Sequence, residues 1–409
     1  MCVKARAERP ASRGAVVAAT SGLTAALVRW REALLTRAGR CRVRLPYATA
    51  ARLLGAFAGL LAAGSARAAE LPQDRADVMY HYYDGGGTRA SGPAVLLRKS
   101  LADKVSLYGQ YYLDMVSNAS IDVVTTASPY KENRHEEILG LDYVYRDATI
   151  TLSGSNSSEP DYVAKSFGID VSQEVFGGLT TISLGYTRGW DKVGKKGEGF
   201  IDNAKHWHYR LGATQVLTPR VLVSANFEAI SDDGFLGSPY RVARELSGYV
   251  PENVPRTRTS RAVKLSAIGD LGTPAHDTLR AQYRYFWDTW DIRASTVELG
   301  YSRYFGSEVW LGDAYLRYYT QSSALFYSDD ATELRTYVTR NRQLSSFKSY
   351  GLGTRVAYTA KSVPGKYELK LNGALERTRF NFSDFTDVRD NKLYSYDATI
   401  VQLFVSATF

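Results

Sequence analysis

Two histidines, His206 and His208, alternate in the segment HWHY and are the residues best placed for metal chemistry. Residues two apart in an extended strand point to one face, so the two imidazoles would lie together with Trp207 and Tyr209 behind them. Two imidazoles could hold a metal ion if a third ligand came near. Only two ligands are visible, so the pattern favours a solvated polar wall and predicts no cofactor.

The other motifs that could carry catalysis are incomplete. The segment RHEEIL (Arg134–Leu139) begins like a zinc-protease helix but has Leu139 where the second histidine is needed. The glycine-rich YHYYDGGG (Tyr80–Gly87) is not followed by a helical pattern that could bind phosphate. No nucleophile elbow, Walker loop or C-x-x-C motif is present. We therefore predict that the chain is not an enzyme, with a hydrolase site at a barrel rim as the alternative.

The first 68 residues have the pattern of a leader segment. Arg52, the apolar stretch Leu53–Ala63 and the small-residue site Ala66–Ala68 together predict a secretory signal peptide that is cleaved after Ala68. The residues before it are rich in arginine and alanine, as a start codon placed too early would produce. The predicted domains are thus a leader, 1–68, and a mature domain, 69–409.

Removing the leader changes the charge. Twelve of the 51 basic residues and two of the 42 acidic residues precede residue 69, so the mature part carries −1 rather than +9. A nucleic-acid partner is therefore not predicted. Both cysteines, Cys2 and Cys41, also lie in the leader, which excludes disulfides and cysteine-ligated metals from the mature part.

Alternation of apolar and polar residues dominates the mature part. In TLRAQYRYFWDTW, Leu279, Ala281 and Tyr283 share one face, and Arg280 and Gln282 the other. Such runs extend over roughly ten to fourteen residues, which is longer than strands of soluble sheets and long enough to cross a bilayer. Short turns alternate with longer segments, and the pattern predicts an all-β, antiparallel, up-and-down transmembrane barrel of about sixteen strands. The longer segments are Ser117–His135, Asp191–Asn203, Ser231–Thr257, Gln321–Ser345 and Phe382–Ser395. The predicted location is the outer membrane of a Gram-negative bacterium.

The chain ends on such a run, YDATIVQLFVSATF, with Leu403, Val405 and Phe409 on the apolar face. A closed barrel would pair this last strand with the first one. Outer-membrane barrels resemble the chain in ending on an aromatic residue preceded by alternating apolar residues. In those barrels this segment is the signal for the barrel-assembly machinery, so that machinery and the membrane lipid are the predicted partners.

Three segments carry a family resemblance. They are DVMYHYYDGGG (Asp77–Gly87), SIDVVTTASPYKE (Ser120–Glu132) and LGYTRGWD (Leu184–Asp191). With them the chain resembles a family of bacterial outer-membrane proteins known as domain of unknown function 3570. The resemblance implies an outer-membrane β-barrel and supplies no catalytic residues.

With the apolar face outward, the other face of each strand must line the lumen, and its charges change along the chain. The early strands contribute mainly acids and the later strands mainly bases, which predicts a transverse field or, as the alternative, a salt-bridged interior without selectivity. The predicted lining residues are Asp77, His81, Asp114, Asp142, Asp170 and Glu174, then Lys264, Arg280, Arg284, Arg317 and Arg355.

One long segment, Ser117–His135, has a β-branched, mostly apolar middle that is unusual for a surface loop. We predict that it folds into the lumen and brings Asp122 and Lys131 to a constriction; the alternative is that it extends the strands. The function predicted for the whole chain is a passive pore for a small polar solute. The competing class is a non-conducting scaffold that docks a periplasmic protein.

Overall fold

The computed structural model describes residues 69–118, 120 and 130–409, and in them the strands close into a barrel. Sixteen antiparallel strands pair in chain order, and the last strand pairs with the first to close the ring. The predicted sixteen-stranded barrel is confirmed. Its strands are β1 (Arg75–Gly85), β2 (Thr88–Ala102), β3 (Val105–Asn118), β4 (Tyr130–Tyr145), β5 (Ala148–Glu159), β6 (Tyr162–Val175), β7 (Thr180–Gly194), β8 (Ile201–Thr218), β9 (Val221–Gly234), β12 (Thr257–Asp270), β13 (Thr278–Asp288), β14 (Arg293–Phe305), β15 (Trp310–Gln321), β16 (Phe347–Val363), β17 (Tyr367–Asp387) and β18 (Lys392–Thr408).

A small hairpin lies outside the ring. Its strands, β10 (Val242–Glu245) and β11 (Gly248–Pro251), belong to the connection between β9 and β12. A short 3₁₀ turn, Arg342–Leu344, is part of the connection between β15 and β16. No helix in the described ranges is long and apolar enough to cross a membrane. The predicted leader lies outside the described residues, so its cleavage stays a prediction.

The two faces of the wall differ as the alternation predicted. Apolar side chains of neighbouring strands meet on the outward face, where Val78 pairs with Val405 and Tyr80 with Leu403. All four of these side chains are exposed. His81 pairs with Gln402 on the other face, and both are buried. Period-two alternation therefore produces an apolar exterior and a polar interior around the whole ring.

The strands are longer than the sequence pattern predicted. They reach 21 residues in β17, and the register of β17 with β18 extends from Glu368↔Thr408 to Asp387↔Lys392. The segment Phe382–Ser395, predicted as a long loop, is therefore mostly strand. Its polar and aromatic residues made it resemble a loop, but they pair across two strands that extend beyond the ends of their neighbours.

The connections divide into two ends. At the short-turn end, tight turns join the strands and both chain termini of the barrel lie there, with left-handed residues such as Arg146 and Phe176 at the corners. At the long-loop end, the two longest described connections are residues 235–256 and 322–346. The predicted alternation is present only in part, because residues 195–200 and 388–391 at the long-loop end form connections much shorter than the predicted Asp191–Asn203 and Phe382–Ser395.

The connection 322–346, which we call the mouth loop, packs inside the long-loop end. Ala324, Phe326 and Tyr327 from this loop join Phe382 and Phe385 of β17 in one buried cluster. Its remaining buried members are Val254, Trp290 and Ile292. The hairpin β10–β11 adds a second layer, since Glu245 and Asn253 form bridges to Ala331 and Val338 of the loop.

Two arginines fix the mouth loop to the wall. The Arg340 guanidinium lies over the Phe385 ring at 4.4 Å and donates to the Thr386 carbonyl at 2.6 Å. Arg342 lies over Tyr394 and donates to the Gly86 carbonyl at 3.4 Å. Since Gly86 belongs to the turn between β1 and β2, the loop reaches from β15 and β16 across β17 and β18 to the first strands.

The predicted constriction loop, Ser117–His135, is strand rather than loop at both of its described ends. β3 and β4 stay paired up to Asn118↔Tyr130, so Ser117 and Lys131 lie in strands. The middle of the segment, with Asp122, lies outside the described residues, and its inward fold stays a prediction. Strand extension is what the structure shows for both ends.

Candidate functional site

The lumen wall collects most of the predicted lining residues. By strand register, the inward faces carry Asp77, His81, Asp114, Asp142, Asp170, Glu174, Lys264, Arg280, Arg284, Arg317 and Arg355. Lys131 is an exception. On β4, Glu132 and Arg134 face inward, whereas Lys131 faces outward and is exposed, so it does not line the lumen there. The prediction for Lys131 was wrong because it assumed a loop where the strand continues.

The early strands hold paired acids rather than a bare acidic wall. Asp114 lies 2.7 Å from His81 Nε2 and 3.4 Å from Arg134 Nη1. Asp142 forms a close ion pair with Arg98 on β2. Arg98 and Arg134 were not among the predicted lining residues, and both neutralise acids on the same side of the barrel. The predicted transverse separation of charge is therefore weaker than the list implied.

The two histidines that alternate in β8 have unlike surroundings. His206 lies between two carboxylates, with Nε2 at 2.8 Å from Asp191 and Nδ1 at 2.5 Å from Asp232. His208 Nδ1 lies 2.6 Å from the Arg210 guanidinium, a cation that would oppose a metal at that ring. In the described ranges no group of three or more histidine, cysteine, aspartate or glutamate residues could hold a metal ion.

A belt of charge follows six consecutive strands of the wall, β8, β9 and β12 to β15. It consists of three pairs of residues that lie directly opposite each other on adjacent strands: Arg210↔Glu228, Lys264↔Arg284 and Glu298↔Arg317. Side chains opposite each other in a sheet approach closely enough to interact. The belt therefore forms a continuous band of four bases and two acids on one side of the lumen.

The bases of the later strands differ in how tightly they are held. Arg280 lies 2.6 Å from Asp313, and Arg210 holds both oxygens of Asp170 at 2.8 Å. Arg284 lies 3.9 Å from Glu228, beyond hydrogen-bond distance. Arg284 is thus held less tightly than Arg210 and Arg280.

Glycines let large side chains lie flat against this wall. A Cβ at Gly353 would lie 2.1 Å from Tyr315 Cζ, so the Tyr315 ring occupies the space that a side chain would fill. The Tyr315 hydroxyl then donates to Glu376 at 2.6 Å. At Gly185 a Cβ would lie 2.0 Å from Asp170 Oδ1, and the pair of Asp170 with Arg210 passes over that strand. At these two positions the side chains therefore lie along the barrel wall.

Exposure separates the lumen into two regions. Asp170 and Arg284 on the wall keep 44% and 36% of their side-chain surface. At the mouth, Phe385 is 0% and Trp290 2% exposed. Water thus reaches part of the charged wall, at Asp170 and Arg284, whereas the cluster under the mouth loop is dry.

Sequence reasoning missed the mouth loop and its arginines. Gln321–Ser345 was predicted to be a long connecting segment, and its aromatic residues Phe326 and Tyr327 were the available signal for burial. Arg340 and Arg342 gave no such signal, because an arginine in a loop is ordinarily exposed. Their burial depends on Phe385 and Tyr394, which come from another part of the chain.

A comparison with family models matches the later part of the barrel and overlaps one of the three motifs, Leu184–Asp191. Residues 186–372, from β7 to β17, match the model of a family described as "Protein of unknown function (DUF3570)". The predicted family resemblance is confirmed. The matched range contains the whole charged belt. No curated protein matches the chain.

The barrel also resembles solved structures, in fold alone. A bacterial polysaccharide outer membrane secretin is 7% identical, with 83% of this chain and 100% of that chain covered and a TM-score of 0.47. OpdK from Pseudomonas aeruginosa, solved with vanillate, is 12% identical, with coverage of 83% and 100% and a TM-score of 0.41. The siderophore receptor PirA from the same organism is 10% identical, with coverage of 83% and 81% and a TM-score of 0.40.

Proposed function

We propose that the chain is an outer-membrane barrel that lets a small polar solute pass passively through a lumen narrowed by the mouth loop. The observation that carries the proposal is the charged wall that water still reaches, exemplified by Asp170 and Arg284. A barrel of sixteen strands is wide enough to leave an aqueous channel. Glycines such as Gly353 keep the wall side chains away from the axis.

The outward face supports the membrane location. Large apolar side chains such as Leu97, Leu139 and Leu403 are exposed there without any protein to cover them. Contact with lipid would remove that surface from water, at roughly 25 cal/mol per Å². We propose membrane lipid and the barrel-assembly machinery as partners, and neither an enzymatic activity nor a nucleic-acid partner is part of the proposal.

The mouth supports a second candidate function. The cluster beneath the mouth loop is as dry as a protein core, which suits a closed scaffold that docks a periplasmic protein. In that case the water-accessible part of the lumen, away from the mouth loop, would be a solvated interior through which no solute passes. The two candidates differ in one property, namely whether ions cross the barrel.

Current through a planar lipid bilayer tests the proposal. Purified protein, shown to be folded by its heat-modifiable shift in a gel, should give discrete open levels in potassium chloride. The same preparation after boiling is the control and should give none. Silence from folded wild-type protein would overturn the channel and favour the scaffold.

A further inference from the structure

The charged belt contains one pair of like charges on adjacent strands. Lys264 on β12 and Arg284 on β13 are directly opposite each other. Two like charges in this position repel and destabilise the strand pair. The next base, Arg317, lies on β15, and only β14 with Glu298 separates it from Arg284.

The carboxylates around these bases do not hold all of them tightly. The Arg284 guanidinium is 3.9 Å from Glu228, whereas Arg280 is 2.6 Å from Asp313 on the same wall. The Arg284 side chain is also more than a third exposed to the lumen. It therefore presents a planar set of N–H donors at the edge of the water-filled region.

We infer that Lys264, Arg284 and Arg317 form an anion-binding subsite that takes the carboxylate or phosphate group of a small solute. The guanidinium fork matches two oxygens of such a group, and the lysine adds a point charge that also relieves its repulsion from Arg284. This inference rests on the proposed function, because a subsite in the lumen acts on a solute only if the solute can enter.

The acids beside the subsite set its strength. Glu228 and Glu298 lie on flanking strands, and Glu376 comes near Arg317 across Gly351, where a Cβ would lie 3.6 Å from atoms of both. Their three negative charges formally offset the three bases, so an anion would be held weakly. A site in a pathway must attract a solute and also release it, so a weak site of this kind suits passage better than storage.

Single-channel recording with two charge variants tests the subsite. We would compare the wild type with the double variant Lys264→Gln/Arg284→Gln in a potassium chloride gradient, and then add sodium succinate or sodium phosphate. In the double variant the reversal potential should shift toward cation selectivity. The concentration of succinate that halves the current should rise about tenfold, the usual effect of losing a hydrogen bond to a charged group.

A matched control and a variant of opposite sign complete the design. Arg377→Gln also removes one positive charge, but Arg377 pairs with Asp397 on the outward face and should leave both readings unchanged. Glu298→Gln removes an acid beside the subsite and should strengthen block by succinate. This variant keeps the test decisive if the double variant does not fold.

The outcomes separate the two proposals. Open channels with the same reversal potential and the same block in all variants would overturn the subsite and leave the passive channel in place. No current from the folded wild type would overturn the channel itself. Loss of block by succinate alone would assign the subsite to carboxylates, and loss of block by phosphate alone would assign it to phosphates.

Discussion

The dry mouth and the wet charged belt are built from the same strands but follow opposite rules. At the mouth, Phe382 and Phe385 of β17 point into a cluster with Trp290 that excludes water. Lower on the same strand, Glu376 accepts a hydrogen bond from Tyr315 on a polar wall. The inward face of one strand thus changes from a packed aromatic core to a polar, hydrogen-bonded wall within a few residues.

This difference shows where a closed barrel gains specific packing. Side chains in the wet region lie along the wall and are held by ion pairs and hydrogen bonds. In the dry region the mouth loop supplies a second layer against which aromatic residues can pack. A barrel wall alone cannot bury such residues in an open lumen, so a loop that turns inward is what makes a dry region possible.

The largest expected effect is at the mouth, from Phe385→Ala. Phe385 is fully buried and carries the Arg340 guanidinium over its ring. Replacement of a buried phenylalanine by alanine typically costs about 3–5 kcal/mol and removes the surface on which Arg340 packs. We expect the mouth loop to detach and the single-channel current to rise.

Cysteine labelling reads out the same change, since the mature part has no cysteine. In an Ala331→Cys background, where Ala331 is buried, labelling by a maleimide should be slow until Phe385→Ala is added. Phe176→Ala is the matched control, because Phe176 is exposed at the short-turn end. Unchanged labelling and current in Phe385→Ala would show that the cluster does not hold the loop.

An intermediate effect is expected in the wet region from Gly353→Ala. The new Cβ would meet the Tyr315 ring at 2.1 Å, so the ring must leave the wall and enter the lumen. Overpacking of this kind costs about 1–3 kcal/mol. We expect a lower single-channel current and a lower melting temperature. Gly269→Ala, where nothing lies within 4 Å of the added Cβ, should change neither.

Both regions require a closed barrel, and deletion of the last residue, Phe409, tests the contacts that close it. The Phe409 amide donates to the Asp74 carbonyl at 3.0 Å, and Lys99 lies 5.1 Å from the centre of the Phe409 ring. Deletion of Phe409 should reduce the folded, heat-modifiable band, whereas any barrel that forms should conduct like the wild type. A normal yield of folded protein would contradict the assembly role of this terminus.

The smallest expected effect is a pH dependence at the same seam. Lys99, with Ser100, lowers the pKa of Asp74 from 3.8 to about 2. A depressed pKa stabilises the folded state above the unfolded pKa, and that stabilisation is lost as the pH falls through about 2. The wild type should therefore melt slightly higher than Asp74→Asn at pH 6, with the gap shrinking between pH 4 and pH 2. If the difference in melting temperature between wild type and Asp74→Asn were the same at pH 6 and pH 2, Asp74 would not stabilise the junction of the first and last strands.

The wall could be predicted from the sequence, because period-two alternation depends on each strand alone. Leu403 and Val405 had to share a face whatever their neighbours were, and so did Asp77 and His81. The same logic placed Arg284 and Arg317 in the lumen. Partners were harder to predict, since the pairing of Asp142 with Arg98 depends on the register between distant segments.

The mouth could not be predicted by that rule. Residues of the mouth loop follow no period, and their burial depends on Trp290, Phe382 and Phe385, which come from other connections and strands. The prediction assigned the inward fold to Ser117–His135 from its β-branched residues. Those residue types also suit a longer strand, which is what the described ends of that segment form.

Swelling of proteoliposomes tests the central claim, passage of small polar solutes past the mouth loop, most directly. Liposomes that contain folded wild-type protein would be diluted into isosmotic solutions of a neutral pentose or a neutral trisaccharide. We expect swelling in the pentose and much slower swelling in the trisaccharide. Phe385→Ala should reduce this difference in swelling rate. Folded protein that allows no swelling in the pentose would contradict the account.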